Sequence, residues 1–305
     1  MKQALIDIGS NSMRLSLYET DEAGFRILFR EKIMAGLAGY AKNRVLSHDG
    51  IECACSSLLE FRETLDALGI GQVAVFATAS LRNIKNTAEA VSAVKKATGY
   101  DVDVLSEKDE AVLGYIGAMQ ELNVTSGAFL DIGGASTELV SFEDGKILES
   151  ASFPVGSLNL YKMCVKKILP GNGSLKRMRK LITEEIDRKH SYSFDKRSPL
   201  ICVGGTARAV MKIARKMYAL PPDCCSVSMD QLNDLCKMLY QKKRSTVDLV
   251  LKLEPDRVHT LIPGAAILQH IARMFDSYEI VVSKYGVREG YLCQRIIRDG
   301  NPDKA

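Results

Sequence analysis

Histidine is scarce in this chain, and the cysteines lack the spacing of metal sites. No two of the four histidines lie within a helix turn of each other, which argues against a His-ligated zinc or di-iron centre. The eight cysteines include no Cys-x-x-Cys pair, so the zinc-ribbon and thioredoxin-like classes lack their signature. We expect small, mostly buried free thiols instead.

Long apolar runs and a strong charge excess are missing as well. No window approaches eighteen uninterrupted apolar residues, so we expect no membrane span. Ala4–Ile6 is too short a run for a signal peptide, and free thiols suit a reducing compartment, so we expect a cytoplasmic protein. The 41 basic and 37 acidic residues give a net charge of only +4. A dedicated nucleic-acid-binding protein usually carries more, in clusters, so neither nucleic acid nor membrane is an expected partner.

An internal repeat is the most informative feature of the sequence. Residues 5–19 read LIDIGSNSMRLSLYE and residues 129–143 read FLDIGGASTELVSFE, so that Asp7 aligns with Asp131. Repeats of this kind indicate a duplicated architecture. Each copy predicts a strand, a tight glycine turn and a second strand.

The repeat predicts the domain organisation. Its offset of 124 residues (131 − 7) is about one domain length, and 305 residues are enough for two domains. We place them at residues 1–124 and 125–305. Predicted strands alternate with predicted helices, such as the helix over 47–68, and this alternation is typical of an α/β protein.

The repeated turn has the composition of a phosphate-binding loop. The glycine two residues after each aspartate allows a tight turn and lets a ligand approach the backbone. Such a turn offers a nest of N–H donors to phosphate oxygens, while the aspartate can reach a cation. Small polar side chains add hydrogen bonds without bulk: Ser10, Asn11, Ser12 and Ser136. One copy alone would favour a self-capped hairpin turn, but two copies favour phosphate.

Two further positions are compatible with phosphate. Gly204, Gly205 and Thr206 lie between a predicted strand and a predicted helix, and a helix N-terminus favours anions. The glycines could equally serve close strand–helix packing. Arg82 ends a β-rich run, where its guanidinium suits a phosphate, although a surface ion pair explains it equally well.

Carboxylates cluster at two places. Glu107, Asp109 and Glu110 open a predicted helix over 107–122, where the helix dipole favours acids. One of them could act as a general base. Glu138 follows Asp131 by seven residues (138 − 131), so it is expected to point toward the same turn.

A basic region covers roughly residues 157–190 and is interrupted at Pro170–Gly173. Its nine lysines and arginines could line a track for an anionic chain. Solvated helix faces with local ion pairs explain many of them equally well. Both interpretations stay open.

Seven motifs follow one another along almost the whole chain. They are DIGSNSMRL at 7–15, TASLR at 78–82, DIGGASTE at 131–138, FPVG at 153–156, GGT at 204–206, PGAAIL at 263–268 and SKYGVREG at 283–290. Together they resemble the Ppx/GppA family of exopolyphosphatases and guanosine pentaphosphate phosphohydrolases. The resemblance is to the short, two-domain members. It implies a duplicated actin-like (ribonuclease H-like) α/β fold with an interdomain cleft.

The resemblance also implies catalytic roles. The family's catalytic glutamate stands in a Glu-Glu-Ala-Arg-like run, which here reads Asp109-Glu110-Ala111-Val112. Glu110 is therefore the implied general base. Glu138 would help to position water or magnesium, and Asp131 together with Asp7 would hold Mg²⁺ or another divalent cation.

Phosphate binding is expected at the turn amides, at Arg82 and at the third glycine turn. Phosphoryl transfer depends mostly on such positioning and electrostatics. The full expected set is Gly9, Ser10, Asn11, Ser12, Arg82, Gly133, Gly134, Ser136, Gly205 and Thr206.

Two departures from the family pattern bear on the function. Val112 replaces the usual arginine, and Ala135 replaces the third glycine of a Gly-Gly-Gly run. Neither removes a group that the mechanism needs, so we expect an exopolyphosphatase that acts on inorganic polyphosphate. The alternatives are a guanosine pentaphosphate (pppGpp) 5′-phosphohydrolase and a non-catalytic polyphosphate or nucleotide sensor. A kinase of the actin-like superfamily is a weaker alternative, because the motifs resemble the hydrolases. Family members often dimerise, which makes a homodimer a candidate assembly.

Overall fold

The computed structural model describes residues 1–22, 24–186 and 198–298. Its chain divides into two units, Met1–Glu110 and Ala111–Ala305. The domain boundary expected after residue 124 lies 14 residues further on (124 − 110) and stays a prediction. Arg188 and Lys189 of the basic region lie outside the described residues.

Unit 1 is built on a mixed sheet. Its elements are β1 (Lys2–Ile8), β2 (Met13–Asp21), β3 (Gly24–Ile33), α1 (Leu37–Tyr40), β4 (Ala41–Lys42), β5 (Val45–Leu46), α2 (His48–Ala67), β6 (Val73–Ala77), α3 (Ala79–Arg82), α4 (Thr87–Thr98), β7 (Val102–Val104) and α5 (Glu107–Ala118), the last of which crosses the division. The order in the main sheet is β3-β2-β1-β6-β7. The centre of the sheet is β1, because Ala4, Leu5 and Ile6 are all buried and an unbroken apolar run suits a strand covered on both faces.

Unit 2 repeats this plan with more helices. Its elements are β8 (Gly127–Ile132), β9 (Thr137–Glu143), β10 (Lys146–Phe153), α6 (Ser157–Cys164), α7 (Asn172–Ile186), β11 (Leu200–Val203), α8 (Gly204–Tyr218), β12 (Ser226–Ser228), α9 (Met229–Gln241), α10 (Arg244–Leu253), a 3₁₀ turn (Pro255–Arg257), α11 (Leu261–Met274), β13 (Glu279–Val282), α12 (Val287–Tyr291) and a π-helical segment (Leu292–Arg298). The order in its sheet is β10-β9-β8-β11-β13-β12.

The two sheets share one topology. In each, an antiparallel three-stranded meander is followed by two strands that run parallel to its first strand: β6 and β7 in unit 1, β11 and β13 in unit 2. Unit 2 adds the edge strand β12, which is antiparallel to β13. The fold is therefore the duplicated actin-like α/β fold expected from the sequence. No helix in the described ranges is long and apolar enough to cross a membrane.

Several local predictions need correction. Arg82 lies in the short helix α3 rather than at the end of a strand. Gly204, Gly205 and Thr206 form the first residues of α8 instead of lying before the helix. The helix opened by the acidic cluster ends at Ala118, short of residue 122. The repeat predicts only two strands in each copy, whereas a third strand, β3 or β10, completes each meander. In contrast, α2 begins where Ser47 caps it by accepting a hydrogen bond from the Gly50 N–H.

Two glycines let α5 and α12 pack backbone to backbone within unit 2. A Cβ on Gly117 would lie 2.0 Å from the Gly286 carbonyl oxygen, and one on Gly290 would lie 1.8 Å from the Leu113 carbonyl oxygen. No L side chain fits such spaces. This contact fixes the part of α5 that lies in unit 2.

Candidate functional site

The turn between β1 and β2 holds the first group of predicted site residues. A Cβ on Gly9 would lie 2.7 Å from the Ser12 carbonyl oxygen, so the turn requires glycine. The carbonyl oxygens of Ser10 and Asn11 accept hydrogen bonds from backbone N–H groups at the start of α1, at 2.8 and 2.9 Å. Hydrogen bonds from the start of α1 to these two carbonyls thus fix the conformation of the turn.

The turn between β8 and β9 repeats this construction in unit 2. The Gly133 N–H donates to the Ser136 carbonyl oxygen at 2.9 Å. The Gly134 carbonyl accepts from two backbone N–H groups at the start of α6, at 2.9 and 3.0 Å. The Ala135 carbonyl accepts from Nδ2 of Asn159 at 3.0 Å.

Anchoring the carbonyls fixes where the amides point. In a trans peptide, the C=O of one residue and the N–H of the next point in opposite directions. The N–H groups of Asn11 and Ser12, and those of Ala135 and Ser136, therefore point away from the helices that hold the carbonyls. Consecutive amides presented in this way are suited to phosphate oxygens.

Gly156 makes the second turn sensitive to a single methyl group. A Cβ there would lie 2.4 Å from the Gly134 carbonyl oxygen and 2.5 Å from the Ala135 carbonyl carbon. Because both are backbone atoms, the turn itself must move. We expect Gly156→Ala to lower the free energy of unfolding by about 1–3 kcal/mol and to speed amide hydrogen exchange in the turn.

Urea unfolding and hydrogen exchange measure the two effects. The matched control is Gly171→Ala, because a Cβ on Gly171 has no atom within 4 Å. Equal destabilisation by the two substitutions would contradict the packing role of Gly156.

Asp131 and Glu138 are directly opposite each other in the β8–β9 pair. Residues so paired share one face of the sheet. Glu138 is only 1 % exposed, and its Oε1 accepts a hydrogen bond of 3.1 Å from Oγ of Ser152 on β10. One or two carboxylates, completed by water and substrate oxygens, are the usual protein ligands of Mg²⁺. The donor set of this face therefore fits a divalent cation.

The same place in unit 1 holds the opposite charge. Asp7 pairs with Arg14 across β1 and β2, and Arg14 corresponds to Glu138 in the repeat (14 + 124 = 138). A guanidinium beside a carboxylate supplies the positive charge that a metal ion would bring. Of the two predicted metal ligands, Asp131 therefore has the more suitable surroundings.

Arg82 and Glu110 form an ion pair within unit 1. Nη1 of Arg82 lies 2.6 Å from Oε2 of Glu110, and the side chains are 12 % and 10 % exposed. The same nitrogen donates to the Leu105 carbonyl at 3.1 Å. Glu110 reaches this position because Oγ of Ser106 accepts from the Asp109 N–H at 3.0 Å and so caps the first turn of α5.

The other edge of the Arg82 guanidinium is unsatisfied. Its Nε and Nη2 are buried and have no hydrogen-bond partner among the described residues. These two nitrogens form the fork that binds a phosphate with two parallel hydrogen bonds. Oγ of Ser80 donates to the Ile8 carbonyl, which ties α3 to the end of β1 beside the first turn.

The third glycine turn lies beside Asp131 in unit 2. Gly204 has φ +83°, and a Cβ there would lie 2.4 Å from Oδ1 of Asp131. The side chain of Thr206 is buried, and it fills the space in which a Cβ on Gly264 would lie. Burial raises the pKa of Cys202, and Asp131 raises it further, so this thiol stays protonated.

Arg257 is the site residue that sequence reasoning missed. Its guanidinium fills the space that a Cβ on Gly205 would need. The side chain is 26 % exposed, with Nε 3.6 Å from Oε2 of Glu254. Burial lowers the pKa of Arg257, while Glu254 and Asp256 act to raise it. Arg257 lies outside every recognised motif, so its place beside the glycine turn had no sequence signal.

The predicted residues thus fall into two groups, one in each unit. Unit 1 brings together the first turn, Asp7 and the Arg82–Glu110 pair. Unit 2 brings together the second turn, the third glycine turn, Asp131 and Glu138.

The chain is similar to a known phosphatase family over almost its whole length. The model of the Ppx/GppA phosphatase family matches residues 16–298. Exopolyphosphatase 1 of Mycobacterium tuberculosis is 23% identical, over 97% of this chain and 88% of that protein. The guanosine-5′-triphosphate,3′-diphosphate pyrophosphatase of Pseudoalteromonas translucida is 27% identical, over 98% of this chain and 59% of that protein.

The fold is also similar to a solved structure. The exopolyphosphatase from Cytophaga hutchinsonii superposes with a TM-score of 0.84 at 21% identity, over 98% of both chains. At this identity the likeness supports the fold assignment alone.

Proposed function

The chain belongs to the Ppx/GppA phosphatase family, and from this premise we propose that it hydrolyses the terminal phosphate of inorganic polyphosphate. The proposal depends above all on Arg82. This one guanidinium holds Glu110 through Nη1 and leaves two buried nitrogens, Nε and Nη2, without a partner among the described residues. A phosphate bound at that fork would lie near the carboxylate that activates water.

Each residue then has a defined task. Glu110 takes a proton from the water that attacks the terminal phosphorus, and Glu138 helps to orient water. The amides of the two glycine turns and the Arg82 fork bind phosphate oxygens and stabilise the charge that develops on them. The bond from phosphorus to the bridging oxygen breaks as the bond to the water oxygen forms, which releases orthophosphate.

Magnesium is the proposed cofactor, and Asp131 with Glu138 would hold it. When bound, it supplies positive charge to the phosphate oxygens. Asp7 stays a predicted ligand, with Arg14 as its competing partner. A cytoplasmic location and a homodimer also stay predictions.

A second substrate has specific support. The Pseudoalteromonas relative named above acts, by its name, on guanosine-5′-triphosphate,3′-diphosphate. The same turns and the same base would serve a nucleotide that carries a terminal phosphate. We therefore keep pppGpp 5′-phosphohydrolase as the alternative.

Phosphate release from short polyphosphate, long polyphosphate and pppGpp tests the proposal. We expect release from polyphosphate with Mg²⁺, and its loss with excess chelator. Asp131→Asn should lower the rate at least about a hundredfold. Release from pppGpp alone would move the enzyme to the alternative. Tight binding of either substrate without any release would contradict the enzyme and indicate a sensor.

A further inference from the structure

A second anion site is suggested by an open cavity on the helical side of unit 2. The cavity has a volume of about 770 Å³ and lies between α7, α9, α11 and the segment that follows α9. This volume is within the range of small-molecule sites. No residue of the three glycine turns lines it.

The walls of the cavity are strongly basic. Its cationic side chains are Arg179, Lys237, Lys242, Lys243 and Arg273, and Asp234 is its one acidic lining residue among the described ranges. None of the five cations forms an ion pair with a carboxylate of residues 1–22, 24–186 or 198–298. The cavity therefore carries positive charge that the described part of the chain does not neutralise.

The floor is a hydrogen-bonded network that fixes part of this charge. The Tyr240 hydroxyl donates to Oε1 of buried Gln269 at 3.2 Å, and Nε2 of Gln269 donates to Oδ1 of Asn233 at 2.8 Å. The same oxygen accepts from Nη2 of Arg273 at 2.7 Å. This bond uses one of the five N–H donors of Arg273. A prepositioned guanidinium loses little entropy when an anion binds.

Two other cations are also held in place. The Arg179 guanidinium lies 5.3 Å from the centre of the Tyr240 ring, a cation–π distance. Nζ of Lys242 donates to the Pro170 carbonyl at 2.8 Å. The walls are thus partly ordered around the opening.

The cavity is separate from the turns described above. On α11, Gly264 contacts Thr206 of the third glycine turn. Arg273 is nine residues further along this helix (273 − 264). At 1.5 Å per residue the separation along the axis is about 14 Å, which exceeds the reach of one bound phosphate group.

We propose that this cavity is a second, non-catalytic site for a linear oligophosphate anion. Five cations and one carboxylate in the lining suit a ligand with several negative charges. Arginine forks match phosphate oxygens, and the flexible lysines adapt to a chain of them. An inorganic chain and the phosphate tail of a nucleotide share this chemistry.

Lysine footprinting on the full chain tests the site without requiring turnover. Two uncleavable probes separate the sources: bismethylene triphosphate and β,γ-methylene guanosine triphosphate. We expect acetylation of Lys237, Lys242 and Lys243 to fall at least about threefold with bound probe, because an ion-paired amine is withdrawn from the reagent. Lys166 and Lys167, which are exposed outside the cavity, should react unchanged.

Charge reversal gives the matched test. The double substitution Lys237→Glu and Lys243→Glu affects two exposed residues, so the fold should persist. It should weaken probe binding at this site at least about tenfold and remove one site from the calorimetric stoichiometry. The control, Lys166→Glu with Lys167→Glu, has the same net charge. It should retain both the probe affinity and the calorimetric stoichiometry of the unsubstituted protein.

Each outcome decides the proposal. Protection by both probes supports a site that recognises only the phosphate groups. Protection by the nucleotide probe without protection by the inorganic probe supports a site whose natural ligand is a nucleotide. Protection by neither probe, or equal loss of binding in the control, would overturn it. Failure of polyphosphate hydrolysis would leave these readouts intact, so the two proposals fail separately.

Discussion

Glu110→Gln is expected to lower phosphate release by roughly 10²–10⁴-fold while leaving the fold in place. The amide cannot take a proton from water, and general-base catalysis contributes roughly 10²–10⁴-fold to a rate. The substitution keeps the shape of the side chain and leaves an oxygen that can accept from Arg82. We therefore expect kcat to fall by this factor, with a much smaller change in KM. Initial rates on the best substrate measure both.

The control lies on the same helix. Glu107 is exposed in the first turn of α5, so Glu107→Gln removes an equal charge without touching the Arg82 fork. We expect near-normal rates from it. Full activity of Glu110→Gln would refute the general base and would direct attention to Glu138.

Arg82→Met is expected to be the most destabilising single substitution among the site residues. It leaves Glu110 as a buried carboxylate without its cation. Breaking a buried pair by removing one partner costs about 3–5 kcal/mol. The methionine retains most of the side-chain volume, so cavity effects are small. Urea unfolding measures the loss, and activity should vanish with it because the phosphate fork is gone.

The double variant Arg82→Met with Glu110→Gln separates the two causes. If an uncompensated charge is responsible, removing that charge should restore much of the lost stability. No recovery would show that Arg82 acts through packing. Arg26→Met is the matched control, because the Arg26–Glu19 pair is exposed and surface pairs contribute little.

The fold could be predicted because the two repeats are local patterns. Asp7 and Asp131 are each the next-to-last residue of a buried strand and lie two residues before a glycine, and these signals span only a few residues. The short helix α3 could not be predicted in the same way. Its residues 79–82 follow a β-rich run, and the hydrogen bond from Ser80 to Ile8 that holds them joins positions 72 residues apart.

The site was partly predictable for the same reason. Asp131 and Glu138 lie on adjacent strands joined by a tight turn, so their spacing in sequence sets their spacing in the sheet. Arg257 reaches Gly205 only through the packing of helices between them, 52 residues along the chain (257 − 205). Tertiary contacts of this kind leave no periodic trace in the sequence.

The second strand of the duplicated hairpin carries Arg14 in unit 1 and Glu138 at the same place in unit 2. This difference predicts that the two hairpins respond differently to dissolved cations. Arg14 is opposite Asp7 in the register of β1 and β2 and offers it a counter-charge, so we expect the ionic composition of the solution to matter less there. Asp131 has Glu138 beside it, and like charges directly opposite in a sheet repel. Withdrawal of divalent cations should therefore loosen the β8–β9 hairpin and leave the β1–β2 hairpin unchanged. If the proposed metal site is correct, the two halves share one architecture but should differ in their dependence on dissolved cations.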